Sequence, residues 1–271
     1  MSKQIKVWGM SYGLIGDLIA GLPMLTYYEK KYPGSYKYFA IEKRCAFMAP
    51  LFLNHSLIDR IKISDEWNGW GEKDRKIISE CDIKAVYENW KHDSKDWYNH
   101  THFFEETAIL AGIRDIKDVL TEEEQRPKLD KWFDVGFRNA KNHTYSKKNA
   151  RDMNEFDKNV AIWPFAQAES HLGRSPSTSW WNKLIQALTK EDYTVHHYGK
   201  DTDPDLSNSP NYKKLTSMSF FDQTKASLAS KVIIGPNTGP MFVAGAYSHP
   251  AIHLLTNYYP DHNDNFLSLA P

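Results

Sequence analysis

Twice in this chain a short apolar run leads into a glycine-rich turn and then into a stretch whose apolar residues recur at helical spacing. Near the start, Ile5-Lys6-Val7-Trp8 runs into Gly9 to Gly16. Asp17–Tyr32 follows, carrying Leu18, Ile19, Leu22, Leu25 and Tyr28 before Pro33-Gly34 ends it. Near the far end, Lys231–Ile234 runs into Gly235-Pro-Asn-Thr-Gly-Pro-Met241, and Thr238–Tyr247 has the spacing of a helix. Tyr36–Ile41, Ile58–Ile63 and Ile83–Tyr87 read as further strands, and His102–Ala111 as an amphipathic helix closed by Gly112. Strand, turn, helix and strand in repetition imply parallel βαβ units, hence an α/β fold.

The second half repeats the alternation more cleanly. Val160–Trp163, Tyr193–Tyr198 and Ala251–Leu255 read as strands, and Ser179–Leu188 and Phe220–Ala229 as helices. Between the halves the chain turns polar from Arg138 to Asn159, and Arg138–Arg151 holds five basic residues and no acid. That stretch reads as an exposed linker or helix, or as a patch facing an acceptor or a membrane. A length of 271 residues suits two domains of about 100–150 residues each. The expected division is 1–145 and 146–271.

Composition excludes several classes. Apolar residues make up 41% and charged residues 25%, as in ordinary globular proteins, which argues against a disordered or fibrous chain. Lys+Arg and Asp+Glu are both 34, and no basic stripe stands out, so nucleic acid is not an expected partner. Cys45 and Cys81 form neither a CxxC nor a His/Cys cluster, which fits a reducing compartment and neither a zinc site nor a disulfide framework. Val7 to Tyr28 imitates a membrane span, but Asp17 lies at its centre, where a carboxylate costs about 2.5–3.5 kcal/mol. The run also lacks a small-residue cleavage pattern, so a cytoplasmic protein is expected.

Four segments carry candidate chemistry. The spacing of Gly9, Gly13 and Gly16 is not GxGxxG, and no GxxxxGK[ST] occurs. Asp17 beside them is either a helix cap accepting an N–H bond or a general base activated by partial desolvation. In Gly235–Met241, Asn237 or Thr238 can cap the next helix and Gly239-Pro240 suits its first turn. That turn is either an anion site at the positive end of a helix dipole or a plain tight turn. The loop Pro164–Pro176 holds Ser170 and Arg174. A cation there would stand where open α/β sheets bind ligands and could neutralise a leaving diphosphate, unless it is an ordinary surface arginine. In Gly199-Lys-Asp-Thr-Asp203 an acid can accept ribose hydroxyls or simply be solvated. Asp201 and Asp203 form a formal Asp-x-Asp, read as ribose-facing rather than metal-binding.

Four motifs in order carry a resemblance: Ile15-Gly-Asp-Leu-Ile-Ala-Gly-Leu-Pro23, Arg174 seven residues before Trp181, Leu215-Thr-Ser-Met-Ser219, and Gly235-Pro-Asn-Thr-Gly-Pro-Met241. Together, from about residue 5 to 256, they resemble glycosyltransferase family 9, the bacterial ADP-heptose:lipopolysaccharide heptosyltransferases. The resemblance implies two facing Rossmann-like domains of parallel sheet, the GT-B arrangement, with the donor held mainly by the C-terminal one. It makes Asp17 the catalytic base and sets Arg174 where a lysine steadies the donor phosphates, with Ser170 the hydroxyl of the same loop. Asp203 falls where an acid holds the ribose, with Asp201 an alternative, and Met218 falls near the nucleotide. Asn237, Thr238 and Gly239 match the turn that cradles the diphosphate.

The implied reaction is a metal-independent, inverting transfer of a heptose-like sugar from a nucleotide-diphosphate sugar to a glycan or lipopolysaccharide-type hydroxyl. No cofactor is implied. The implied partners are the donor and a glycan or glycolipid acceptor, and the protein is expected to be a cytoplasmic monomer that can lie peripheral to the inner membrane face. Three departures stand out. Phe242 replaces a common histidine, Arg174 replaces lysine, and the chain stops at Pro271, so the family's C-terminal crossover helix is expected to be missing or shortened. Two other readings stay open. One is a catalytically inactive nucleotide-sugar-binding module. The other is a nucleotide-sugar epimerase of related two-domain architecture, with His171, His196 and His197 as candidate acid/base groups.

Overall fold

A computed structural model describes residues 4–11, 15–53, 55–64, 72–87, 113–129, 158–166, 175–236 and 238–254. These fall into two units, within Met1–Lys131 and Trp132–Asn263. The expected join between 145 and 146, the stretch 102–111 and the chain after 254 lie outside the described residues.

The N-terminal unit is built on strands β1 (Lys6–Ser11), β2 (Tyr36–Glu42), β3 (Arg60–Ser64) and β4 (Ile83–Tyr87). They pair in the order β3-β2-β1-β4, every pairing parallel. Both faces of β2 are covered, so its buried run Tyr-Lys-Tyr-Phe-Ala-Ile-Glu lacks clean alternation of polar and apolar residues. One face packs Trp8, Met24, Tyr27, Tyr28, Tyr38 and Ile78 together, with the Trp8 and Tyr38 ring centroids 6.0 Å apart. Lys37 of β2 is buried too. Its ammonium pairs with Glu29 and donates to Ser35 O at 3.0 Å, which supplies the partners a buried charge requires.

The expected helix Asp17–Tyr32 is two helices, α1 (Ile15–Ala20) and α2 (Pro23–Lys31). Pro23 has no N–H, and inside a helix its ring would strike the carbonyl four residues back. The chain therefore tightens between the two helices. Leu22 N–H closes on Ile19 O (3.1 Å), Met24 N–H on Gly21 O (3.2 Å), and Pro23 takes the first position of α2. A 3-10 helix (Lys43–Met48), α3 (Ala49–Phe52), α4 (Glu72–Ser79) and α5 (Ile116–Val119) complete the described unit.

The C-terminal unit has strands β5 (Asn159–Ile162), β6 (Thr194–His197), β7 (Tyr212–Lys214), β8 (Val232–Pro236) and β9 (Ala251–Leu254). Their order is β7-β6-β5-β8-β9, again all parallel. Helices α6 (Thr178–Lys190), α7 (Phe220–Ser227) and α8 (Gly239–Ala246) connect them. Alternation along β5 sends Val160 and Ile162 into one core with Trp181, Ile185 and Val195, and Ala161 into the other with Ile233, Met241 and Ala244. Trp181 and Ile185 stand one turn apart on α6, whose first turn is capped by Ser177 Oγ accepting the Trp180 N–H at 3.2 Å. Burial of such a side chain contributes about 1.5–3 kcal/mol. Chain order runs from β5 out to β7, then returns to lay β8 against the other edge of β5. The strand order thus reverses between β5 and β8, the place where open α/β sheets receive ligands.

Both units are α/β with parallel sheets, as the sequence pattern implies. Among the described residues no helix is long and apolar enough to cross a membrane. Cys45 and Cys81 are both buried, and no disulfide joins them.

Candidate functional site

Because all five strands of the C-terminal unit are parallel, the segments that follow them emerge at one edge of the sheet. Four of the expected residues lie there: Asp203 after β6, Met218 after β7, and Thr238 with Gly239 after β8.

The turn after β8 is shaped by close packing. A Cβ at Gly235 would stand 2.9 Å from Met241 Sδ and 3.0 Å from Trp163 O, so α8 and β5 approach the strand backbone as only glycine permits. Thr238 is the extended residue before α8 (φ −133°, ψ 160°), yet its hydroxyl makes no cap bond. Thr238 Oγ1 is buried without a partner among the described residues. Pro240 offers no N–H, and the Met241 N–H closes on Thr238 O at 3.0 Å. An anion at this turn would therefore be met by the Gly239 N–H and the Thr238 hydroxyl, fewer donors than an open helix terminus presents. Beside it, Trp163 is stacked on Tyr198 with centroids 5.5 Å apart, and its buried Nε1 has no partner among the described residues.

The loop after β6 folds back on itself. Asp203 Oδ2 accepts the Lys200 N–H at 2.8 Å, while the Asp203 N–H donates to Lys200 O at 2.9 Å. Gly199 (φ 153°) carries this closure, since a Cβ there would collide with Asp203 Oδ2. Lys214, at the end of β7, donates to Asp201 O at 3.3 Å and to Asp203 O. Beneath the loop lies His197, fully buried, with Nδ1 2.7 Å from the Tyr212 hydroxyl. That hydroxyl also accepts the Leu206 N–H at 3.2 Å. Nε2 has no hydrogen-bond partner among the described residues and lies 3.9 Å from Asp203 Oδ2. With no exposed surface, His197 is a packed residue and not an open acid/base group. His196 has its ring 6.3 Å from that of Tyr198.

The loop after β7 is held by a residue the sequence reading did not single out. Gln223 on α7 is buried. Its Nε2 donates to Met218 O at 2.8 Å, Gly199 O at 3.0 Å and Thr216 O at 3.2 Å, and its Oε1 accepts the Gly199 N–H at 2.7 Å. Ser219 caps the same helix by accepting the Asp222 N–H at 3.1 Å.

In the N-terminal unit, Asp17 is the third residue of α1, which begins just past the C-terminal end of β1. It stands inside the first turn, so it is not the residue that flanks the helix start, as a cap would. Ser170, Arg174, Asn237 and His171 lie outside the described residues. Among the described residues no three His, Cys, Asp or Glu side chains gather as metal ligands would.

The arrangement defines a two-unit α/β protein whose C-terminal sheet offers a ligand edge at its switch point. No family model matches the sequence, and no curated protein is similar to it in sequence. Solved structures are similar in fold. The E. coli ADP-heptose LPS heptosyltransferase II has a TM-score of 0.57 at 16% identity, over 93% of this chain and 84% of that one. The glycosyl transferase family 9 protein from Veillonella parvula has 0.61 at 11% identity, over 94% and 83%. The iron-containing dodecameric glycosyltransferase TibC of enterotoxigenic E. coli has 0.59 at 11% identity, over 93% of this chain and 58% of that one. At such identities the likeness establishes the fold. The two units of this chain have the α/β fold, with parallel sheets, of these family 9 heptosyltransferase structures, as the sequence motifs imply.

Proposed function

We propose that the chain is a metal-independent, inverting glycosyltransferase that moves a heptose-like sugar from a nucleotide-diphosphate donor to a glycan or lipopolysaccharide-type hydroxyl. The observation that carries this reading is the ligand edge of the C-terminal sheet, where Asp203, Met218, and Thr238 with Gly239 follow β6, β7 and β8 in turn, and the Thr238 hydroxyl is buried without a partner among the described residues.

In this reading Asp17, ionised, takes the proton of the acceptor hydroxyl while that oxygen bonds to the anomeric carbon. The bond from that carbon to the diphosphate oxygen breaks in the same step, so configuration inverts and the nucleoside diphosphate leaves with the negative charge. Arg174, the Gly239 N–H and the Thr238 hydroxyl receive that charge where other enzymes use a divalent cation. Asp203 accepts the ribose hydroxyls and the Met218 thioether packs on the base. No cofactor enters the scheme. The protein works as a cytoplasmic monomer that can sit at the inner membrane face, where a glycolipid acceptor is presented.

A thermal-shift screen against ADP, UDP, GDP and CDP and their sugars tests the donor site, because a ligand specific for the folded state raises the melting temperature. Stabilisation by none of them would end the reading. With the donor known, anomeric configuration of the product and activity in EDTA test inversion and metal independence. Asp17→Asn is expected to keep donor affinity and to lower turnover about 10²–10⁴-fold. Equal turnover would remove Asp17 as the base. Phe242, in place of a common histidine, favours a second reading, a nucleotide-sugar-binding module; donor binding without product from any glycan acceptor would select it.

A further inference from the structure

Helix α7 turns a polar face to the interior. Gln223, Thr224 and Ser227 are all buried, whereas Phe220 and Phe221 on the same helix are only half-buried. Thr224 and Ser227 bond back to their own helix, Thr224 Oγ1 to Phe220 O at 2.8 Å and Ser227 Oγ to Thr224 O at 2.8 Å. Gln223 alone of the three reaches out. It joins two different loops, Gly199 after β6 and the Thr216–Met218 segment after β7, through four hydrogen bonds. Three carbonyls face Nε2 and one N–H faces Oε1, so the amide has a single acceptable orientation; a flip would set its oxygen against three oxygens.

These two loops carry Met218 and Asp203. Met218 is bonded through its own carbonyl. Asp203 is reached in two steps, because its carboxylate folds over Gly199 and the Gly199 peptide is bracketed on both sides by the Gln223 amide. The two loops are therefore fixed to one rigid group.

We infer that Gln223 is a positioning residue that sets the spacing between Met218 and Asp203, and through it the affinity for the nucleoside portion of the donor. The inference rests on the nucleotide-diphosphate reading above. Gln223 makes no bond to the Thr238–Gly239 turn, so its influence falls on base and ribose rather than on diphosphate.

The probe is whichever of ADP, UDP, GDP or CDP binds the wild-type chain most tightly. Gln223→Met keeps the length of the side chain and removes all four bonds. It is expected to weaken that nucleotide about tenfold, the worth of one hydrogen bond to a ligand. In an Asp203→Ala/Met218→Ala background the same substitution is expected to cost less than about threefold, because residues acting through one another are not additive. Equal losses in both backgrounds, or none in the wild type, would overturn the inference, since a purely structural role predicts equality. Should Gln223→Met fail to fold, hydrogen exchange on the wild-type chain decides. The nucleotide must then protect 199–203 and 215–219 together, and protection of one loop without the other overturns the inference. A wild-type chain that binds none of the four nucleotides sinks the donor reading itself, and this inference with it.

Discussion

The Tyr212 hydroxyl stands 2.7 Å from His197 Nδ1 and holds the Leu206 N–H at 3.2 Å, so one side chain of an edge strand binds the neighbouring strand and the loop between them. Tyr212→Phe deletes both bonds and leaves His197, already without a partner at Nε2 among the described residues, with none at Nδ1 either. Stranding buried polar groups costs about 1–3 kcal/mol. A urea titration should show a lower midpoint with an unchanged slope; an unchanged midpoint would mean that the imidazole finds another partner.

Gly235→Ala should destabilise the chain by about 1–3 kcal/mol, the usual range for overpacking. Met241 Sδ can swing away from the new methyl group, but the Trp163 carbonyl, 3.0 Å from it, belongs to the backbone beside β5 and cannot. Shortening Met241 in the same chain should therefore restore only part of the loss. Full recovery by Gly235→Ala/Met241→Val in thermal melts would contradict that division.

Ser248 closes α8 with φ 52°, and the closure is double: the Ser248 N–H meets Gly245 O at 2.8 Å and the His249 N–H meets Ala244 O at 2.9 Å. A residue with a Cβ is strained in this left-handed conformation, and glycine is not. Ser248→Gly is expected to gain about 0.5–1 kcal/mol and to raise the melting temperature by about 2–4 °C. A lower melting temperature would show that the serine side chain contributes more than its strain.

Acid should weaken the fold before the carboxylates titrate. Burial drives the His249 pKa down to about 4, and a hydrogen bond with the Ser230 backbone offsets only part of the shift. Burial lowers His253 as well. The unfolded chain protonates these rings near pH about 6.5, while the folded chain holds His249 neutral to lower pH. The stabilising effect of a neutral His249 is thus complete above that value and declines as pH falls towards 4, at up to about 1.4 kcal/mol per pH unit, and His253 acts in the same direction. Urea midpoints at pH 7.5, 6 and 5 should fall in turn, and less steeply in His249→Gln. An unchanged slope in the variant would assign the loss to other groups.

How much could be read in one dimension depended on where each residue's partners lie. Ile83–Tyr87 forms β4 over the span its mostly apolar run implies. β7 is only Tyr-Lys-Lys at a sheet edge, with no alternation to detect. α4 shows little but charge before Ile77 and Ile78. At the ligand edge, Asp203, Thr238 and Gly239 were legible as polar or glycine-containing turns directly after strands, and Met218 only through the resemblance of its motif. Gln223 was not. In Phe-Phe-Asp-Gln-Thr-Lys-Ala-Ser the periodicity points the phenylalanines inward, whereas the glutamine is buried because folded loops bring it three carbonyls and an N–H. A one-dimensional pattern holds no record of those partners. The break in the first helix was signalled all along by Gly21 and Pro23, a pair that outweighs the continuous apolar spacing around it.

The central place of β5 governs how the C-terminal unit can be assembled. Val160 lies opposite Val195 on one side and Val232 on the other. During synthesis the first flank can form as soon as β6 has left the ribosome, while the second waits for β8. Until then an apolar strand has one bare side, an invitation to chaperones or to another nascent copy. Fragments ending before residue 232 should consequently be sticky and protease-sensitive, and a chain released intact should close on the slower side of the millisecond-to-second range expected of distant parallel pairings.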